Sequence, residues 1–215
     1  MPPAQQPGIL AIWNDCRAGR EAEFEHWYQS EHLLERLAVP GFLNGRRYEA
    51  VAGAPRYFAC YVTQSPAVLT SAPYLARLND PTPLTQHVMK EMFIDMTRAL
   101  CRQTQRRGHC RGAYAVTARF AEPPGQTDIV DTLKALSGND GVACAELWTA
   151  LAPHEVPVAN EEKLRGADRK IHSCLTVETL RQNDGEQIAA MLRRQFPKAE
   201  TGVYRLLCEI ERAAV

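Results

Sequence analysis

Apolar positions along the chain change their spacing several times, and each change marks an element. Gly8 to Asn14 (GILAIWN) is a short apolar, β-rich run, and the polar DCRAG after it reads as a turn. Glu21 to Ala38 then follows a helical period and stops at Pro40-Gly41. Phe42 to Val51 and Arg56 to Thr63 are strand-like and are separated by AGAP, whose Gly53 and Pro55 suit a hairpin turn. Pro66 to Met92 is helical but broken at Pro73 and around Asp80 to Pro83, because proline lacks an amide donor and blocks the preceding turn. Phe93 to Arg102 alternates as a last strand.

The order βαββαβ then recurs. Ala113 to Phe120 reads as a strand, Thr127 to Leu136 as a helix ended by Gly138, and Ala143 to Leu151 and Ile171 to Leu180 as central strands. Gly185 to Phe196 gives the second helix and Gly202 to Ala213 the final strand. The two passes share architecture with little residue identity. The expected fold class is therefore α+β, with two ferredoxin-like modules in tandem at residues 8–103 and 111–213. A sheet with helices on one face leaves its other face bare, so the two antiparallel sheets are expected to pack face to face as an intramolecular α/β barrel.

On a wheel of about 100° per residue, Phe24, Trp27, Tyr28, Leu34 and Ala38 share one face of the first helix, with Glu31 in their midst. His32 lies at the edge of that stripe, and His26 points the other way with Leu33 and Leu37. A buried carboxylate is raised in pKa by desolvation and lowered by a cation, and Arg46, Arg47 and Arg98 on strands are candidate cations. Glu31 thus reads either as a structural partner of arginine or as a group that orients or charges His32. His32 itself can act as acid or base near neutrality. Trp13 and Asn14 at the end of the first strand are candidate pocket residues. So are the strand tyrosines Tyr48, Tyr57 and Tyr61, and Arg47 could hold a substrate carboxylate.

The runs FEHWYQSEHLLERLAVPGFLNGRRYEA, PRYFACY and SPAVLTSAPYLARLNDPTP resemble the EthD-like branch of the dimeric α/β barrel superfamily over roughly residues 8 to 103. The matching features are the pair Trp27-Tyr28, His32 a turn later, and the step Pro40-Gly41-Phe42. The resemblance implies a pocket between sheet and helices with His32 as its acid/base. It also implies cofactor-independent isomerase, cyclase, lyase or monooxygenase-like chemistry on aromatic, polyketide-like or lactone compounds. TDIVDTLKALSG in the second module has neither the aromatic pair nor the histidine, so one site per chain is expected. Haem-degrading relatives in the same superfamily suggest the alternative of a hydrophobic-ligand or haem-binding protein, with His87 as axial ligand and Asn14 near it. A ligand-free structural role is the third reading; its pocket would be filled by side chains.

Composition narrows this further. Lys+Arg and Asp+Glu both number 25, so no net charge draws the protein to nucleic acid or anionic membranes. Arg102, Arg106, Arg107, His109 and Arg111 form a local basic run without interleaved aromatics, read as a solvated joint between modules. The seven cysteines are scattered without metal-ligand spacing, and no metal site is expected. MPPAQQPG lacks the features of a signal peptide, and no run approaches the roughly 20 apolar residues of a membrane span, so a cytoplasmic protein with reduced thiols is expected. An internal barrel lessens the need to dimerise; monomer and homodimer both stay open.

Overall fold

The computed structural model describes residues 6–156 and 160–212; residues 1–5, within MPPAQQPG, and Ala213, in the expected last strand, lie outside them. Eight strands follow the predicted order: β1 (Gly8–Cys16), β2 (Phe42–Ala52), β3 (Tyr57–Thr63), β4 (Phe93–Arg107), β5 (Tyr114–Phe120), β6 (Val142–Ala150), β7 (Ser173–Thr179) and β8 (Glu200–Glu211). They close into one antiparallel barrel in the order β1-β3-β2-β8-β5-β7-β6-β4. The first four strands are contiguous as β4-β1-β3-β2 and the last four as β8-β5-β7-β6. The seams are β2 against β8, from Asn44↔Glu211 to Ala52↔Val203, and β4 against β6, from Cys101↔Ala150 to Arg107↔Ala145.

Strand alternation sorts side chains between lumen and helices. On β1, Ile9, Ala11 and Trp13 join the lumen core with Tyr48, Phe58, Trp148 and Tyr204, while Leu10 and Ile12 pack under the helices. The lumen is filled by aromatics: Trp13 stacks on Phe58 at 5.0 Å and Phe58 on Tyr48 at 5.1 Å. Outside the first half of the barrel lie α1 (Glu21–Trp27), α2 (Leu33–Ala38), α3 (Ala72–Asn79) and α4 (Pro83–Glu91). Pro73 and Pro83 sit in the first turns of α3 and α4, where the missing amide costs nothing, so the predicted breaks fall where these helices begin. The second half carries α5 (Gln126–Leu136) and α7 (Gln182–Gln195), packed on their own sheet through Ile129, Leu133, Ile188 and Leu192. Among the described residues, no helix is long and apolar enough to cross a membrane.

Two expectations are corrected. Residues 103–107 continue β4 and pair with β6, and Arg102, Arg106 and Arg111 of the basic run face acids, while Arg107 and His109 are exposed. Arg106 and Arg111 both lie 3.2 Å from the buried carboxylate of Glu146, and Arg111 lies 2.9 Å from that of Glu178. Burial alone would raise the Glu146 carboxyl, but Arg111, the Trp148 indole, Arg106 and Arg46 together hold it below its ordinary value. Arg106 and Arg111 are therefore part of the barrel's charge balance, while residues 106–110 are exposed, as a solvated joint between the halves would be. Second, an element without a counterpart in the sequence reading lies between β6 and β7: α6 (Asn160–Arg165), six residues with a single apolar member, Leu164. The chain returns from it beside β4, with Arg169 N donating to Met96 O at 2.9 Å and Arg169 O accepting from Arg98 N at 3.2 Å.

Gly45 on β2 shows how tightly the helices sit on this sheet. A Cβ there would lie 2.8 Å from the Tyr61 ring and 3.4 Å from Leu33 of α2. Gly45→Ala should therefore destabilise the protein by about 1–3 kcal/mol as overpacking, read as a lowered denaturation midpoint at unchanged slope. Unchanged stability would show that α2 can lift off the sheet at little cost.

Candidate active site

α1 and α2 are one helix interrupted by a π turn, Tyr28–His32, in which the Leu33 amide donates to the Tyr28 carbonyl five residues back. The extra residue rotates everything after it by about 100° relative to a uniform α-helix. His32, Leu33, Arg36 and Leu37 thereby turn inward, and Leu34 and Ala38 outward. The uniform wheel placed Leu33 and Leu37 outside and Leu34 inside; the π turn reverses this. It also moves His32 from the edge of the stripe into its middle. His26 is exposed as expected.

His32 is buried against aromatic rings, with Trp27 at 4.2 Å, Tyr28 at 5.2 Å and Tyr61 at 6.5 Å between centroids. Burial first, and then the charges of Arg36, Arg165 and Arg47, hold its imidazole pKa well below 6.5. His32 is therefore a neutral base at physiological pH. Arg47 is buried with its guanidinium carbon 3.9 Å from the Tyr28 ring centroid, a cation–π contact, and its Nη2 has no hydrogen-bond partner. His32 Nδ1, Arg36 Nη1 and the Tyr61 hydroxyl are likewise buried and unpartnered. Burial keeps the Tyr61 phenol protonated, raising its pKa well above 10. His32 and Arg36 line one cavity and Arg47 and Tyr61 pack on the aromatic rings beside it, and buried polar atoms without partners are costly unless something binds them.

Glu31 makes no hydrogen bond to His32. It accepts from Thr82 Oγ1 at 2.5 Å and Thr85 Oγ1 at 2.8 Å, and Thr85 Oγ1 accepts from Trp27 Nε1 at 2.9 Å. Its carboxylate thus anchors the N-terminus of α4 and, through Thr85, fixes the indole that stacks on His32. Trp13 is on the opposite face of the sheet, donating to Thr117 Oγ1 at 3.3 Å inside the lumen, because odd positions of β1 point inward. Asn14 is buried, but its amide donates only to the Asp15 carbonyl at 3.1 Å. His87 is half exposed and its Nε2 lies 3.1 Å from both Glu23 Oε1 and Arg20 Nη2, away from His32.

The cavity beside His32 is small, about 10 Å³, lined among others by Tyr28, Arg36, Tyr74, Arg98, Glu161 and Arg165. That is room for roughly one water. Glu161 and Arg165 come from α6, in the second half of the chain. Arg36 Nη2 donates to both Glu161 oxygens at 2.6 and 2.8 Å, and Arg165 binds Asp168 through two contacts of 3.0 and 2.8 Å. Arg47 and Arg98 form no ion pair among the described residues, leaving the pocket cationic; Arg98 donates instead to the Tyr74 hydroxyl at 3.0 Å. A larger cleft of about 720 Å³ lies on the other side of α6, lined by Arg98, Arg102, Leu151, Glu162, Lys170 and His172 among others. No group of three metal-ligating side chains occurs among the described residues.

Because His32 binds its proton more weakly folded than unfolded, the unfolded chain takes up more protons below pH 6.5. Stability from this group is therefore complete above the unfolded pKa and lost as pH falls through it, by about 1.4 kcal/mol per pH unit. Urea titrations between pH 7 and pH 5 should show this slope in the wild type and its reduction in His32→Gln. Equal slopes would mean that His32 is not held neutral by its surroundings.

The sequence matches no family model and no curated protein. Solved structures are similar over nearly the whole chain. An anthrone oxidase-like protein superposes with TM-score 0.67 at 9% identity, covering 98% of this chain and 94% of the other. A candidate monooxygenase of Fusobacterium nucleatum gives 0.58 at 7% identity, covering 98% and 97%. A candidate chlorite dismutase gives 0.55 at 11% identity, covering 95% and 96%. At these identities the likeness is one of fold: the chain has the two-module ferredoxin-like α/β barrel that these proteins share.

Proposed function

We propose that the protein is a cofactor-independent enzyme acting by proton abstraction on an acidic aromatic, polyketide-like or lactone compound. The observation that carries this reading is His32, buried, neutral, unpartnered at Nδ1, and set near Arg36 and Arg47, each of which keeps one nitrogen unpartnered. A neutral imidazole can accept a proton from an acidic C–H or phenolic O–H. The anion left behind is stabilised by the unpaired donors of Arg36 and Arg47 and by the Tyr61 hydroxyl, in a pocket with little water to screen them. Trp27, Tyr28 and Tyr61 pack around the His32 ring, and Tyr28 and Tyr74 line the cavity of about 10 Å³, which has to widen to admit an aromatic ring. Glu31 is a positioning residue, acting on Trp27 through Thr85. Returning the proton to a different atom gives isomerisation; loss of a leaving group gives lyase chemistry. The name of the anthrone oxidase-like relative, which points to a carbon acid of this kind, agrees with the proposal.

The first chemical step can be read without knowing the fate of the anion. Incubated with anthrone in deuterated water, the wild type should speed exchange of the acidic C–H protons, followed by proton NMR. His32→Gln should lose about 100-fold or more of that acceleration. The wild-type rate should stay level from pH 8 down through the ordinary histidine range near 6.5, because the base titrates only below it. Undiminished exchange in folded His32→Gln removes His32 from the mechanism.

A second reading, haem binding, has one observation in its favour and requires a correction. His87 does not fit an axial ligand: it is half exposed, occupied by Glu23 and Arg20, and borders none of the cavities described above. The cavity beside His32 is far too small. The cleft of about 720 Å³ does have the size, with His172 in its lining and with Arg98, Arg102 and Lys170 beside it, the last two paired with Glu155 and Glu162. Haem bound there would supply one-electron and oxygen chemistry, while the chain's own part would be ligation and charge pairing. Added hemin should then give a Soret band that shifts in His172→Ala and not in His87→Ala. A band identical in all three proteins excludes both histidines as ligands.

A further inference from the structure

The cleft of about 720 Å³ and the small cavity beside His32 share Arg98 in their linings. They also share a wall. From α6, Glu161 and Arg165 line the inner cavity and Glu162 lines the outer cleft. We propose that the two spaces are halves of one binding site divided by α6, and that the Glu161 carboxylate occupies the place of a ligand's anionic group. The site then takes an aromatic molecule bearing one carboxylate or similar anion. This deepens the proton-abstraction reading and rests on it only for what happens after binding.

Three features support it. The Arg36–Glu161 contact joins one guanidinium nitrogen to both carboxylate oxygens, in a pocket where both side chains are buried and Arg36 Nη1 stays unpartnered. A ligand carboxylate can make the same contacts. Next, α6 is held mostly by polar groups that a ligand or water can replace. Asn160 N and Nδ2 bind Asn79 at 3.1 and 2.8 Å, Lys170 binds Glu162 at 3.1 Å, and only Leu164 packs on the core. Displacing such a segment costs little apolar burial. Finally, the outer cleft leaves one cation unpaired. Arg102 faces Glu155 at 3.4 Å and Lys170 faces Glu162, while Arg98 forms no ion pair among the described residues and donates to the Tyr74 hydroxyl, with Asp168 and Glu161 as its nearby charges. An anion entering the cleft meets Arg98 at the partition and Arg36 behind it, with Tyr74 and Tyr28 offering rings on the way.

Calorimetric titration of the full chain with naphthoate, and with naphthamide as its uncharged isostere, tests this without any turnover. Wild type should prefer naphthoate. Glu161→Gln, which keeps the side-chain volume but drops the charge that competes for Arg36, should bind naphthoate about tenfold more tightly and naphthamide much less changed. Arg98→Met should lose the preference for the anion. Asn79→Ala, which loosens α6 from outside and leaves the buried pair intact, should also tighten naphthoate binding, and serves if Glu161→Gln fails to fold. Equal affinity for the two probes in wild type, or no tightening in folded Glu161→Gln and Asn79→Ala, overturns the proposal. The titration reads binding alone, so loss of proton exchange in His32→Gln bears on the chemistry and leaves the comparison of the two probes standing.

Discussion

Every feature of this molecule depends on one constraint, the bare inner face of each four-stranded sheet. A sheet with helices on one side must bury its other side. Here the last strand of each half pairs with the second strand of the other, so β2–β8 and β4–β6 close the ring and leave no free edge. The lumen then fills with Trp13, Tyr48, Phe58, Trp148 and Tyr204, and buried acids at Glu146 and Glu178 are balanced by Arg46, Arg106 and Arg111. With aromatic side chains filling the lumen, the cavity beside His32 lies on the outer face, under the helices.

On that outer face the decisive local event is the π turn. It presents His32 and Arg36 together to the sheet, where a regular helix would have presented Glu31 and Leu34. π turns interrupt helices at a cost in hydrogen-bond geometry and recur at functional sites. The gain here is a neutral imidazole and a guanidinium side by side in an aromatic cage. Glu31, displaced to the flank, becomes the anchor of α4.

Strand and helix order was legible because apolar spacing reports which face is buried, and all eight strands sit within a few residues of where the spacing put them, apart from the continuation of β4. His32, Tyr28, Trp27, Arg47 and Tyr61 do gather in one place. What misled was also local. The parity of β1 was knowable, since Trp13 alternates with Ile12, but which parity faces the helices is a tertiary matter. That Arg106 and Arg111 balance Glu146 and Glu178 left no mark in the sequence, because those acids are dozens of residues away. The π turn leaves no mark in apolar spacing, and α6, with one apolar residue in six, has no period to detect. Arg36 and Glu161, 125 positions apart, carry no sequence signal of their pairing.

The contribution of α6 to a pocket built by the other half of the chain has a consequence for how such a site can diversify. In a symmetric pair of identical chains, any change to the covering segment is made twice, once over each pocket, and the cover's effective concentration follows the pair's association. Tethered in one polypeptide, the covering segment is always present at its target and can mutate independently of the half it guards. A single polypeptide thus lets the two halves change independently around a cavity that both of them line.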